Sequence, residues 1–278
     1  SLSLFGKTFR YPFFAGPVGA VNLHYGEKYN DMEYNQILVR ACSENGIAAF
    51  TGDGTNPAVM EAASKAIAAE HGNGIPTIKP WNVDTLREKY ELVKMSGSFA
   101  VAMDVDGAGL PFLKNLDPPA GSKTVEELRV IAKAVGVPFI VKGVMTVRGA
   151  RKAQEAGAAA IVVSNHGGRV LDQCPATAEV LGEIADAMQG SGMKILVDGG
   201  IRSGVDVLKA LALGADAAPM AWGDAFTAMQ QGALDGQENP LVLLETNGVP
   251  EINKHATKTE HIYNCTITLM SQKLWNEM

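Results

Sequence analysis

The sequence has few of the features that mark membrane, secreted or nucleic-acid-binding proteins. Its 278 residues include three cysteines, Cys42, Cys174 and Cys265. They are far apart and odd in number, which predicts a reducing compartment and no metal site. No apolar run is long enough to span a bilayer, and the first residues lack the pattern of a signal peptide. The 30 Asp and Glu outnumber the 24 Lys and Arg, so we expect no binding to nucleic acid or to a membrane. From the cysteines and the missing signal peptide we expect a cytoplasmic protein.

Short apolar runs recur at roughly even spacing and predict buried strands. Their number and spacing suit a fold in which about 250 residues form eight strand–helix units. The predicted strands are residues 13–18, 48–52, 75–78, 99–105, 138–142, 159–164, 194–197 and 217–221.

Amphipathic segments between these runs predict helices. Thr124, followed by Glu126 and Glu127, is typical of a helix start, and glycines such as Gly136 are typical of helix ends. Strands that alternate with helices indicate an α/β fold with a parallel sheet, and eight units indicate a closed (β/α)8 TIM barrel. An open doubly wound sheet is the weaker alternative, because no GxGxxG motif follows the first strand. The predicted helices are residues 31–45, 57–71, 83–96, 124–135, 147–156, 176–188 and 204–213.

The richest chemistry follows the predicted strand at residues 159–164, where the chain reads SNHGGRVLD. Histidine is a common general base near neutral pH, so His166 is the candidate that could remove a proton. Arg169 offers a planar fork of donors that suits a carboxylate. Gly167 and Gly168 allow the backbone to turn and a flat ligand to approach closely. A base beside an anion-binding group is what the oxidation of a 2-hydroxy acid requires.

This nonamer, with VKG at residues 141–143 and VDGGIRSG at 197–204, resembles the FMN-dependent 2-hydroxy-acid oxidase and dehydrogenase family. The resemblance covers about residues 1–216. It implies FMN as the cofactor and oxidation of a small L-2-hydroxy acid to the 2-oxo acid by hydride transfer to the flavin. It leaves the electron acceptor undefined and a homo-oligomer open.

The resemblance also implies roles for individual residues. His166 would be the base, Asp106 would steady it, and Arg169 would bind the substrate carboxylate. Lys142 would lie by the flavin ring and Asp198 by the ribityl chain. The phosphate would lie at Gly199, Gly200 and Arg202. The other expected cofactor contacts are Pro17, Val18, Gly19, Thr51, Lys79, Asp104 and Ser164.

Several positions depart from the family pattern. Lys79-Pro80-Trp81 stands where the family has Gln-x-Tyr, and Asp104 replaces a threonine near the flavin. The stretch at residues 106–116 contains no arginine, so a second carboxylate clamp is missing. Ala221-Trp222 replaces a pair whose arginine would hold the phosphate. These changes predict a compact relative with an altered substrate preference.

The last sixty or so residues resemble instead a fragment of a TRAP-transporter solute-binding protein, which suggests a chimera joined near residues 214–218. We expect a flavin-binding barrel over residues 1–222, with 217–232 as an atypical eighth unit, and a C-terminal tail at 233–278. The alternative function is a non-catalytic or inactivated flavin- or anion-binding barrel fused to that fragment. Barrels like flavin-type isopentenyl-diphosphate isomerase or IMP dehydrogenase account less well for SNHGGR.

Overall fold

A computed structural model describes residues 1–19, 21–22, 26–110, 113, 115–116, 120–220, 236–240, 255–258 and 266–270. Two compact units divide the chain, Ser1–Met220 and Ala221–Met278. Each is described by itself.

The first unit is built on a parallel sheet of eight strands in chain order, with the last strand paired to the first. A bridge between Leu196 and Ala217 joins the seventh strand to the eighth, so the sheet closes on itself. All eight strands lie within the predicted segments or one to two residues from them, and the predicted α/β barrel is confirmed. The strands are β3 (Phe13–Ala15), β4 (Ala49–Thr51), β5 (Gly74–Ile78), β6 (Val101–Asp104), β7 (Phe139–Val144), β8 (Ala160–Val163), β9 (Lys194–Val197) and β10 (Ala218–Met220).

Within the described residues, seven α-helices alternate with these strands at the positions that the sequence predicted. Sequence-local caps fix several of their starts: Asn30 with Glu33 and Thr124 with Glu127 each form a capping box. The atypical eighth unit was expected at residues 217–232, and its part from residue 221 onward lies outside the described residues. The helices are α1 (Asp31–Glu44), α2 (Pro57–Ala69), α3 (Val83–Ser96), α4 (Val125–Ala134), α5 (Val147–Glu155), α6 (Thr177–Ala187) and α7 (Gly204–Ala212).

Successive strand residues pack on opposite sides of the sheet. In β7, Ile140 belongs to the core inside the barrel, whereas Phe139 and Val141 belong to the core beneath the helices. Strands buried on both faces need continuous apolar runs, which is the pattern these segments show.

An N-terminal hairpin that the sequence did not predict packs against the inner core. Its strands are β1 (Leu2–Leu4) and β2 (Lys7–Phe9), which pair antiparallel. Leu4 and Phe9 are buried in the same cluster as Phe14 and Phe50. Strands of three residues are too short to show a periodic pattern, so sequence reasoning missed them.

The second unit contains a three-stranded antiparallel sheet in the order β11–β13–β12. These strands are β11 (Gly236–Pro240), β12 (His255–Lys258) and β13 (Thr266–Met270). Across the part of the chain that the structure describes, no helix is long and apolar enough to cross a membrane.

Candidate active site at the carboxyl ends of the strands

Ionisable side chains gather where the parallel strands end. Chemistry in α/β barrels collects at this edge, because the loops that follow the strands converge there. Successive strands from β4 to β9 each bring a polar residue at or near the end: Asp53, Lys79, Asp104, Lys142, Ser164 and Asp198. All but Asp53 are among the cofactor contacts expected from the sequence.

Lys142 is the buried cation of this cluster. Its ammonium nitrogen lies 3.2 Å from Asp104 Oδ1 and 3.3 Å from Asp198 Oδ2. It also donates a hydrogen bond to Ser164 Oγ at 2.9 Å. Its side chain is only 5% exposed, so the carboxylates compensate a charge that water cannot reach.

The two central charges stabilise each other. Burial raises the pKa of the Asp104 carboxyl, but the ammonium groups of Lys142 and Lys79 outweigh burial and hold this pKa well below its usual range. Burial lowers the pKa of Lys142, but Asp198 and Asp104 outweigh burial and keep this pKa above its ordinary value. Both groups are therefore charged at neutral pH.

His166 lies beside the same cluster and pairs with Asp106. Its Nδ1 is 3.2 Å from Asp106 Oδ1 and 3.3 Å from Oδ2, and it lies 3.7 Å from Asp104 Oδ1. A carboxylate at Nδ1 favours the tautomer that leaves Nε2 free to accept a proton. His166 has a φ of 57°, a left-handed conformation that is uncommon outside glycine and often found at functional sites.

Gly143 makes room for the Asp106 carboxylate. A Cβ at this glycine would lie 2.5 Å from Asp106 Cγ, and its φ of 98° also disfavours a side chain. The close approach explains why VKG, rather than VK alone, belongs to the site.

The segment before α7 offers donors for an anion. Gly199 and Gly200 turn the backbone with φ of 85° and 72°. Arg202 Nε is buried and has no hydrogen-bond partner among the described residues. Ser203 caps α7, and Asp206 accepts hydrogen bonds from the backbone N–H groups of Arg202 and Ser203. An unpartnered buried guanidinium nitrogen is costly unless a ligand satisfies it.

The remaining predicted residues lie at the same edge with fewer contacts. The backbone N–H of Gly52 donates to Val18 O at 3.1 Å, which joins the ends of β3 and β4 beside Pro17 and Gly19. The Thr51 hydroxyl is buried and unpartnered within the described ranges. Arg169 is exposed and forms no ion pair in the same ranges, so its role in substrate binding stays a prediction.

Sequence reasoning missed the buried pair of Asp53 and Lys89. Lys89 Nζ is 2.9 Å from Asp53 Oδ1, and Asp53 Oδ2 accepts hydrogen bonds from the indole of Trp81 at 2.7 Å and from Lys79 N at 3.2 Å. Asp53 follows a buried strand, as Asp106 does. This position after a strand could have marked Asp53 as a candidate site residue. Nothing in the sequence marks Lys89, on α3, as buried.

Three of these side chains also present ligand atoms close together. Oxygens of Asp104 and Asp106 and a ring nitrogen of His166 all lie within 4.8 Å of one another. The ammonium groups of Lys79 and Lys142, 2.6 and 3.2 Å from Asp104, oppose a metal cation there. This arrangement favours proton transfer over metal binding.

The closed parallel sheet with helices around it places the protein in the class of (β/α)8 barrels. Its candidate active site is the edge that carries the His166–Asp106 pair. Residues 114–233 match the model of the FMN-dependent dehydrogenase family. A solved mandelate oxidase variant carrying a monooxide FMN adduct is 31% identical, with a TM-score of 0.61, over 82% of this chain and 69% of that chain. The chain belongs to the FMN-dependent dehydrogenase family.

Curated relatives match part of their length. The 4-hydroxymandelate oxidase of Amycolatopsis orientalis is 46% identical over 125 residues, 44% of this chain and 33% of the relative. An L-lactate dehydrogenase of Xanthomonas campestris is 41% identical over 169 residues, 59% of this chain and 42% of the relative. The chain thus spans between a third and a half of these relatives.

A second family overlaps the end of the first. Residues 201–278 match the bacterial extracellular solute-binding proteins of family 7. This match confirms the dual resemblance noted in the sequence.

The residues present fit FMN, the cofactor of the family. Arg202 Nε and the Thr51 hydroxyl are buried polar atoms that lack partners in the described segments, and both lie at the edge where a cofactor would bind. Lys142 would supply a buried positive charge for the flavin ring, and Asp198 would supply an acceptor for ribityl hydroxyls. Gly199 and Gly200, which have no side chains, would leave room for the phosphate beside Arg202.

Proposed function

We propose that this protein catalyses FMN-dependent oxidation of a small L-2-hydroxy acid to the 2-oxo acid. The observation that carries the proposal is the His166–Asp106 pair held beside buried Lys142 at the carboxyl edge of the barrel. Membership of the family and the names of its relatives support the reaction class. The electron acceptor and the particular acid are not assigned. Within the described residues Cys42 and Cys174 form no disulfide, and the proposed location is the cytoplasm.

In this proposal each side chain has a distinct task. His166 removes the proton of the substrate hydroxyl at Nε2 while Asp106 orients the ring and balances the imidazolium charge. Exposed Arg169 binds the substrate carboxylate through its guanidinium fork. Bound FMN supplies the acceptor for the hydrogen and the electron pair that leave the substrate Cα. Lys142 places a fixed positive charge where negative charge develops.

The test compares two histidines with the same backbone conformation. His166 and His71 have φ of 57° and 55°, and asparagine tolerates this region well. We expect His166→Asn to keep FMN but to slow anaerobic flavin reduction by about 10²–10⁴-fold, the usual loss for a general base. L-Lactate, glycolate and mandelate are the substrates to try.

The matched control is His71→Asn, at an exposed position just after α2. In this variant the substrate should reduce the bound flavin at the parental rate. Rapid reduction in the His166→Asn protein would contradict the assignment of the base. An FMN-loaded parent that none of the acids reduces would contradict the proposed reaction and favour an inactivated barrel.

A further inference from the structure

Two charged residues that depart from the family pattern contact each other in the folded protein. Lys79 Nζ donates to Asp104 Oδ2 at 2.6 Å, and the side chains are 13% and 5% exposed. We propose that Lys79 compensates the charge of Asp104, so that the positive charge of Lys142 stays available to the cofactor. The inference rests on the proposed function, because it concerns the electrostatics of the FMN site.

Asp104 lies between Lys79 on one side and Lys142 with His166 on the other. One of its oxygens faces Lys79, and the other lies 3.2 Å from Lys142 and 3.7 Å from His166 Nδ1. Without a second cation, this carboxylate would be balanced by Lys142 alone. The ammonium that should face the flavin ring would then be largely neutralised within the protein.

Lys79 is itself held in position. Asp53 accepts hydrogen bonds from the backbone N–H of Lys79 at 3.2 Å and from the indole of Trp81 at 2.7 Å. Lys89 balances the buried charge of Asp53 at 2.9 Å. The Lys-Pro-Trp segment is therefore fixed at both ends, and Lys79 is a positioning residue with little freedom to leave Asp104.

The formal charges show why the pair matters. Two cations, Lys79 and Lys142, face three carboxylates, Asp104, Asp106 and Asp198, for a sum of −1 with His166 neutral. Loss of the Lys79 charge makes the sum −2, and loss of the Asp104 charge makes it 0. FMN carries an anionic phosphate and gains negative charge on reduction. Removing the cation should therefore disfavour reduced FMN, and removing the carboxylate should favour it.

The experiment is a double-mutant cycle with Lys79→Gln, Asp104→Asn and both together. In the apoprotein, each single change leaves a buried charge without its partner and should lower the melting temperature. The double variant should recover most of the loss. For FMN, measured by fluorescence titration, Lys79→Gln should raise the Kd by about tenfold or more, and the double variant should return close to the parent.

The midpoint potential of bound FMN, measured with protein in excess, separates charge from structure. Lys79→Gln should lower the potential and Asp104→Asn should raise it, whereas a purely structural role would move both in the same direction. Lys79→Arg, which keeps the charge, should stay near the parent. The control is the part-exposed ion pair of Lys194, at the start of β9, and Asp216, which are 2.9 Å apart. Lys194→Gln and Asp216→Asn should each leave the potential unchanged.

The inference would be overturned if Lys79→Gln and Asp104→Asn shifted the midpoint potential in the same direction. It would also be overturned if their effects on the melting temperature and on the Kd for FMN simply added in the double variant. A parent that binds no FMN would overturn the proposed function instead. The thermal cycle in the apoprotein would still decide whether Lys79 and Asp104 act as a compensated pair.

Discussion

Replacing Lys142 by Met should destabilise the barrel strongly. The change keeps most of the side-chain volume but removes the positive charge that pairs with Asp104 and Asp198. Asp104 is almost fully buried, so water cannot replace this partner. Breaking a buried ion pair from one side costs about 3–5 kcal/mol. For a unit of about 220 residues each kcal/mol lowers Tm by roughly 2–4 °C, so we expect a fall of roughly 6–20 °C.

The loss should also depend on pH. The pKa of Asp104 is depressed in the folded protein. The Asp104 carboxylate therefore contributes its full share to the free energy of unfolding above the pKa of an unfolded aspartate, about 3.9. This contribution is lost as the pH falls through the folded-state pKa. Protonation removes the charge that Lys142 balances. The gap in stability between parent and variant should be constant between about pH 5 and about pH 9, should shrink below about pH 4, and should shrink again in strong alkali as Lys142 loses its charge.

Urea unfolding followed by far-ultraviolet circular dichroism at several pH values measures both effects. Lys194→Met serves as the control, because its partner Asp216 is part-exposed and such pairs contribute about 0–1 kcal/mol. A loss below about 1 kcal/mol in Lys142→Met, or a gap that widens in acid, would refute the reasoning.

Two further predictions concern the neighbours of the site. Asp53→Asn leaves Lys89 buried without its carboxylate, so urea unfolding should show a loss of about 3–5 kcal/mol; a loss no larger than that of an exposed pair would contradict the role of Asp53. Gly143→Ala places a methyl group against Asp106 and should slow flavin reduction by L-lactate, whereas Gly136→Ala, at φ of 70° with no atom within 4 Å of its Cβ, should not. Equal rates in the two alanine variants would show that the close approach at Gly143 has no part in the reaction.

Much of the fold was predictable because each strand–helix unit carries local signals. The apolar runs, the cap at Thr124 and the glycines at helix ends predicted seven helices and eight strands to within a few residues. The hairpin of Leu2–Leu4 and Lys7–Phe9 was missed because its stability comes from packing on the inner core, not from a local pattern.

The site was predictable as a set of residues but not as a network. SNHGGR, VKG and DGG identified His166, Lys142 and Asp198 because short motifs keep the chemistry of a strand end within a few residues. The sequence showed Lys79 and Asp104 as two separate departures, 25 positions apart. Nothing local could show that they bond each other, or that Lys89 reaches Asp53 across 36 positions.

The sequence by itself determined the order of strands and helices and the identity of the chemical groups, since both depend on neighbours along the chain. The tertiary structure alone decided which charges compensate one another. Closure of the sheet brings the ends of β4 to β9 to one edge, and burial there makes each unpaired charge costly. Partners such as Lys79 and Asp104, or Asp53 and Lys89, are therefore selected by distance in the folded barrel rather than by spacing in the chain.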